Sequence, residues 1–287
     1  MLTILFDGIA YGMLLFVLAV GLAVTMGLMN FINLAHGAFA MVGGYITVLL
    51  MQRLDVPFLV CLPIAFAGSA LLGAVLERTL YRPLYSKPHL DQVLFSIGLV
   101  FMSVAAVDYY VGSTQQIIHL PEWLKGRTEI GSLGMGHYRL FIIAVCAALT
   151  VGLQFILART RFGSRLRASV DDQRVAAGLG INVNIVFLST FAFGSGLAGL
   201  GGALGAEVLG LDPSFPLKFM IYFLIVVAVG GTSSITGPLL AALLLGIADV
   251  AGKYYIPKMG AFIVYSLMIV ILLWKPNGLF VRQGGKA

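Results

Sequence analysis

The sequence predicts an all-α, polytopic integral membrane protein with eight or nine transmembrane helices, some of them short or broken. Two observations carry that expectation. Hydrophobic residues make up 60% of the 287-residue chain and charged residues 10%, at a mean hydropathy of +0.99; soluble domains sit nearer about 45–50% and roughly 25%. Apolar runs close to the roughly 20 residues that cross a bilayer recur along the whole chain, with one concentrated polar interruption at 159–182. Water would leave that apolar surface uncovered; lipid accepts it, provided backbone groups pair inside helices.

The runs fall near 4–27, 36–52, 56–77, 91–112, 138–158, 184–207, 217–230, 237–254 and 259–274. The first lacks a basic n-region and outlasts the roughly 7–15 residues of a signal-peptide core, so it reads as a retained span. The next is entered through M-N-F-I-N-L-A-H-G-A-F-A-M-V-G-G-Y, where Asn30, Asn33 and His36 recur every three residues. Amides and an imidazole cost several kcal/mol each when unpaired in hydrocarbon, so they must face protein or a wet cavity. Gly37, Gly43 and Gly44 allow a break or close contact there. The segment is either a pathway-lining element or an interhelical hydrogen-bond clasp.

The loop at 113–137 is long for a plain connector and reads as a solvated cap carrying Trp123, or as a docking surface. In 184–207, Gly194, Ala198, Gly202 and Ala206 recur every four residues, widened by Gly199, Gly201 and Gly205; such a stripe lets helices approach closely in lipid. The short run 217–230 ends in G-G-T-S-S-I-T-G-P, with Gly230 and Gly231 candidate pathway positions, because irregular backbone at depth must be buried in protein or line a cavity. Glu207 and Asp108 read as solvated span ends. Asp249 reads as one half of an i, i+4 pair with Lys253.

The island at 159–182 holds Arg159, Arg161, Arg165, Arg167 and Arg174 with Asp171 and Asp172. Leu166, Val170, Val175, Leu179 and Ile181 alternate with charge at roughly helical spacing. Ser169 followed by Asp171 and Asp172 reads as a helix start, and Gly178 and Gly180 as a stop. A short amphipathic helix of this kind suits docking into a partner's groove. With the island inside the cell, residues 77–90 and 275–287 fall inside too, and eleven of the eighteen basic residues lie there. That bias follows the positive-inside rule, and it accounts for the +6 net charge without nucleic acid. Nine spans would place the N-terminus outside, eight inside.

Absences narrow the function. There is no G-x-x-x-x-G-K-[ST] for ATP, no H-E-x-x-H and no Cys/His cluster, and no G-x-S-x-G elbow. Cys61 and Cys146 fall within apolar runs and form no disulfide framework. Energy, if used, comes from a partner. An ion-coupled transporter would want a midplane acidic or broken-helix site, for which Asp249 is a weak candidate, and a membrane enzyme would want a catalytic constellation.

F-G-S-R-L-R-A-S-V-D-D-Q-R-V-A-A-G-L-G-I-N at 162–182, F-A-F-G-S-G-L-A-G-L-G-G-A-L at 191–204, N-F-I-N-L-A-H-G-A-F-A-M-V-G-G-Y at 30–45 and P-N-G-L-F at 276–280 resemble the permeases of ABC importers for branched-chain amino acids, the LIV-type or hydrophobic-amino-acid-uptake group. The likeness runs over essentially the whole chain. It implies a single permease domain, 1–287, whose loop at about 159–183 couples to a cytoplasmic ATPase through Gly163, Arg165, Leu166, Arg167, Ala168, Asp171, Asp172, Ala176, Ala177, Leu179, Gly180 and Ile181. Ser164 departs from the pattern, standing where the family often has a basic residue after the first glycine. The resemblance further implies a second homologous permease, most simply in a heterodimer, two ATPase subunits that bind ATP and Mg²⁺, a periplasmic binding protein, and the bacterial inner membrane. No cofactor is expected in this chain. Urea, short amides and aromatic acids are substrates of the same branch.

Overall fold

In a computed structural model, the described residues are 1–279 apart from 30, 131, 132, 232, 233 and 277. Each of the nine apolar runs is a helix: α1 (Leu2–Met29), α2 (His36–Leu54), α3 (Phe58–Leu76), α4 (His89–Val111), α6 (His137–Arg159), α9 (Val183–Leu209), α10 (Phe215–Gly230), α11 (Thr236–Tyr255) and α12 (Gly260–Trp274). Seven are long and apolar enough to cross a membrane, whereas Phe215–Gly230 and Phe262–Trp274 are shorter. Between them lie a one-turn helix α5 (Glu122–Lys125) and two short helices in the island, α7 (Arg161–Asp171) and α8 (Gln173–Gly178).

One feature departs from an all-α chain. In the 113–137 loop, β1 (Arg127–Ile130) pairs antiparallel with β2 (Leu133–Gly136), in the register Arg127↔Gly136. An extended loop of that length must find partners for its backbone groups, and these two short stretches supply them to each other.

Helix α1 is the axis of the bundle, and Leu14, Leu15 and Leu18 on it are fully buried. It runs antiparallel to α11 at very short range: a β-carbon on Gly8 would meet Ile247, one on Gly12 the backbone of Ala242 and Leu243, and one on Gly246 the backbone of Gly12. In lipid, helices gain little from hiding apolar surface, so close van der Waals approach over small residues holds them together. The stripe on α9 works the same way. Gly194 abuts Gly21, Gly199 abuts Ser69 and Gly43, and Gly202 abuts Ala40, so one helix packs against α1, α2 and α3 at once.

Two contacts set the sidedness. Asp7 pairs with Arg139, and the Gly134 N–H donates to Thr3 Oγ1 at 3.3 Å. The starts of α1 and α6 therefore share a face with the hairpin. Because α6 ends at Arg159, the N-terminus lies on the face opposite the island, as nine passages require and eight do not. Helix α4 packs only lightly on the bundle and leaves Phe101, Met102, Tyr109 and Tyr110 exposed.

Candidate functional site

The island folds as a platform rather than a single helix. Thr160 caps α7 by accepting the Gly163 N–H at 3.4 Å. Gly163 and Leu166 are buried on the end of α6, and a β-carbon on Gly163 would run into the Leu157 carbonyl. Arg167 folds back so that its guanidinium donates to that same carbonyl. A cation beside the last carbonyls of a helix is favourable, because the macrodipole is negative there. Ser169 is buried within α7 and starts nothing; the start lies nine residues earlier in the chain, at Thr160. The second start is at Asp172, whose Oδ1 accepts the N–H groups of Arg174 at 2.8 Å and Val175 at 3.0 Å.

The stop is at Gly180. Its φ is +82°, its N–H donates to Ala177 O at 3.0 Å, and the Ile181 N–H donates to Ala176 O at 3.0 Å. This pair of bonds is the Schellman C-cap, which places a residue in the left-handed region where glycine is at home. Ala176 and Leu166 point inward. Arg165, Asp171, Asp172 and Ala177 are exposed, Ala168 and Ile181 half-buried, and Val175 and Leu179 stand 59% and 75% exposed. The platform thus carries an apolar patch inside a charged rim.

The polar break before α2 is held by side-chain hydrogen bonds. Asn33 is buried, and its Oδ1 accepts the Ala35 N–H at 3.1 Å and the Tyr81 hydroxyl at 3.0 Å. Gln92 Oε1 accepts the Ile32 N–H at 3.2 Å, while its Nε2 donates to Leu84 O and Lys87 O. Tyr81 sits at the end of a π-helical turn, Glu77–Tyr81, that continues α3. His36 Nε2 lies 2.9 Å from the Leu18 carbonyl; a carbonyl only accepts, so that nitrogen carries the proton. Helix α2 therefore begins beside the middle of α1, not at its C-terminal end. Gly37 abuts Pro216, Gly43 the backbone of Gly199, and Gly44 the side chain of Leu211. These residues meet protein on every side described, and Asn30 lies outside the described residues.

The α10–α11 turn is the second break. A β-carbon on Gly230 would meet the backbone of Pro238, and Gly231 adopts a φ of +81°. The Leu279 N–H donates to Val229 O at 2.8 Å, so the chain after α12 returns to the end of α10. Ser234, Ile235 and Thr236 share a cavity of about 450 Å³ with Ala23, Leu166 and Arg167. The island and the broken helix pair therefore face one another. Tyr81, Gln92 and this cavity had no signature in the sequence, since their partners lie tens of residues away. Among the described residues, no group of three or more His, Cys, Asp or Glu side chains is placed to hold a metal ion.

The family profile described as "Branched-chain amino acid transport system / permease component" matches residues 4–272. The chain is similar to the high-affinity branched-chain amino acid transport system permease protein BraD of Pseudomonas aeruginosa, 30% identical over 97% of this chain and 95% of that one. LivH of Escherichia coli is 26% identical over 97% and 94%. LivM of the same organism is 25% identical over 93% of this chain and 68% of its own length. No solved structure matches.

Proposed function

The chain belongs to the permease-component family of branched-chain amino acid transport systems, and from that premise we propose that it carries branched-chain amino acids inward across a bacterial inner membrane, driven by a separate ATPase. The observation that carries the coupling role is the capped platform of α7 and α8. It presents Val175 and Leu179 to the aqueous side, uncovered by any of the described residues. Exposed apolar residues inside a polar rim are what a partner's groove recognises.

The positive-inside bias supports a cytoplasmic platform, with the N-terminus, the 113–137 loop and the hairpin outside, facing a periplasmic binding protein. Likeness to both LivH and LivM supports a second permease chain as partner, in a heterodimer with two ATPase subunits. The lightly packed α4 offers an apolar face for it. Movement of the platform reaches the interior through the cavity shared by Arg167 and Ser234–Thr236, which borders the α10–α11 break. Asn33 and His36 then hold the opposite break closed between strokes, and Gly37, Gly43, Gly44, Gly230 and Gly231 are where helices slide or part.

The test is co-purification with the candidate ATPase and ATP-driven leucine uptake in proteoliposomes. Val175→Asp with Leu179→Asp is expected to abolish both while the chain still inserts in the membrane. Wild-type uptake in that variant would sink the coupling role, and uptake that survives ATP depletion would sink the importer class.

A further inference from the structure

We propose that this chain holds, within its own helices, a binding subsite for a small aliphatic α-amino acid in the cavity at the outer ends of α1, α6, α9, α10 and α11. The identity of the ligand rests on the transport function proposed above; the cavity and its chemistry do not. The cavity is about 390 Å³, toward the small end of the roughly 300–1,000 Å³ of ligand pockets.

Three acid–base pairs converge on it from separate helices: Asp7 with Arg139, Asp212 with Lys218, and Asp249 with Lys253. All but Asp212 line the cavity directly. The charges balance one to one. A ligand of net charge would enter with nothing to neutralise it, whereas a zwitterion adds one charge of each sign.

The pairs also leave bonding capacity unused. Asp249 is 1% exposed. Its Oδ2 takes Lys253, while its Oδ1 receives only the Tyr222 hydroxyl at 3.5 Å, beyond the usual range of an O–H···O bond. That oxygen is an open acceptor for an ammonium group. On the other side, each lysine has three donors and Arg139 five; with one carboxylate partner apiece, they keep donors free for a second carboxylate. Leu14, Ile142 and Phe219 supply the apolar wall. Charge at span ends needs none of this convergence. A buried carboxylate among three cations, beside an aliphatic wall, has the polarity of an amino acid turned inside out.

The decisive measurement is tritiated leucine binding to the assembled transporter in lipid nanodiscs, without the binding protein. Saturable binding is expected. 4-Methylpentanoate, which lacks the ammonium, and 3-methylbutylamine, which lacks the carboxylate, should each compete at least about tenfold more weakly, since every tenfold is about 1.4 kcal/mol. Lys218→Gln and Phe219→Trp should each weaken binding by about tenfold or more, and Asp249→Asn should abolish it. Where Asp249→Asn fails to assemble, the two variants at the cavity mouth decide. Wild-type leucine binding in both of them overturns the subsite. So does absence of saturable binding by a complex that still imports leucine with its binding protein, and the transport function then stands. A complex that neither binds nor imports leucine overturns both.

Discussion

Two kinds of residue hold the polar break before α2, and their magnitudes differ. Tyr81 contributes one hydroxyl to Asn33 Oδ1; hydrogen bonds between membrane helices average only about 0.6 kcal/mol, because the separated helices find other partners. Gly43 contributes no atoms, yet any side chain there collides with the backbone of Gly199, and backbone cannot change rotamer. Overpacking costs typically about 1–3 kcal/mol even where side chains can yield. Tyr81→Phe is therefore expected to lower unfolding stability in detergent by roughly 0.6 kcal/mol, and Gly43→Leu by more than about 3 kcal/mol. Equal effects in a denaturation series would mean that the clasp, not the close approach, seats α2.

At the scale of elements, the caps set which segments hold their shape. The Asp172 carboxylate accepts two N–H groups of α8, so Asp172→Ala should cost about 1 kcal/mol of local helix stability. Because α8 is exposed, ATPase co-purification should fall while the melting of the whole bundle stays put; loss of bundle stability instead would show that α8 is part of the core. Asp212, ahead of α10, instead accepts the Ser214 N–H and hydroxyl and the Lys218 ammonium. Burial raises its pKa, but hydrogen bonds from Lys218 and Ser214 and the Lys218 charge lower it on balance. A depressed carboxylate stabilises the fold above its unfolded value, about 3.9, and that contribution is lost as pH falls through the lower folded value. Asp212→Asn should thus be less stable than wild type at pH 7, with the gap narrowing as pH falls below about 4; a gap undiminished at pH 3 would exclude the charge as its source. The long apolar runs made all nine helices legible in the sequence, because hydrocarbon thickness dictates their length. The island's polarity and amphipathic spacing point to one short helix with its start at Ser169 and its stop at Gly178 and Gly180; the stop holds at Gly180, but the fold has two helices, the second capped by Asp172. Thr160 was not legible, since its role appears only once α6 is known to end beside it. Nor was the cavity of about 390 Å³: Asp7, Arg139, Lys218 and Asp249 come from four helices, and Asp249 alone reads only as half of a pair with Lys253.

At the scale of the molecule, the parity of crossings fixes what each face meets. The basic-residue bias is compatible with eight or nine spans, and the ion pair between Asp7 and Arg139 joins the starts of the first and fifth apolar runs, four runs apart. An odd run of crossings between them and Arg159 is the consequence, and α5 with its neighbouring hairpin must lie across the membrane from α8. Cys61 and Cys146 are buried, so single cysteines added at the surface report cleanly to a membrane-impermeant maleimide. Lys125 is half exposed on α5 and Leu179 is exposed on the platform. Lys125→Cys is expected to label in intact spheroplasts, and Leu179→Cys only after the membrane is opened. Labelling of both from one side would break the nine-helix arrangement. Labelling of the pair in the reverse order would keep the arrangement and invert it, so that the arginine platform faced outward and the proposed coupling to a cytoplasmic ATPase would fail.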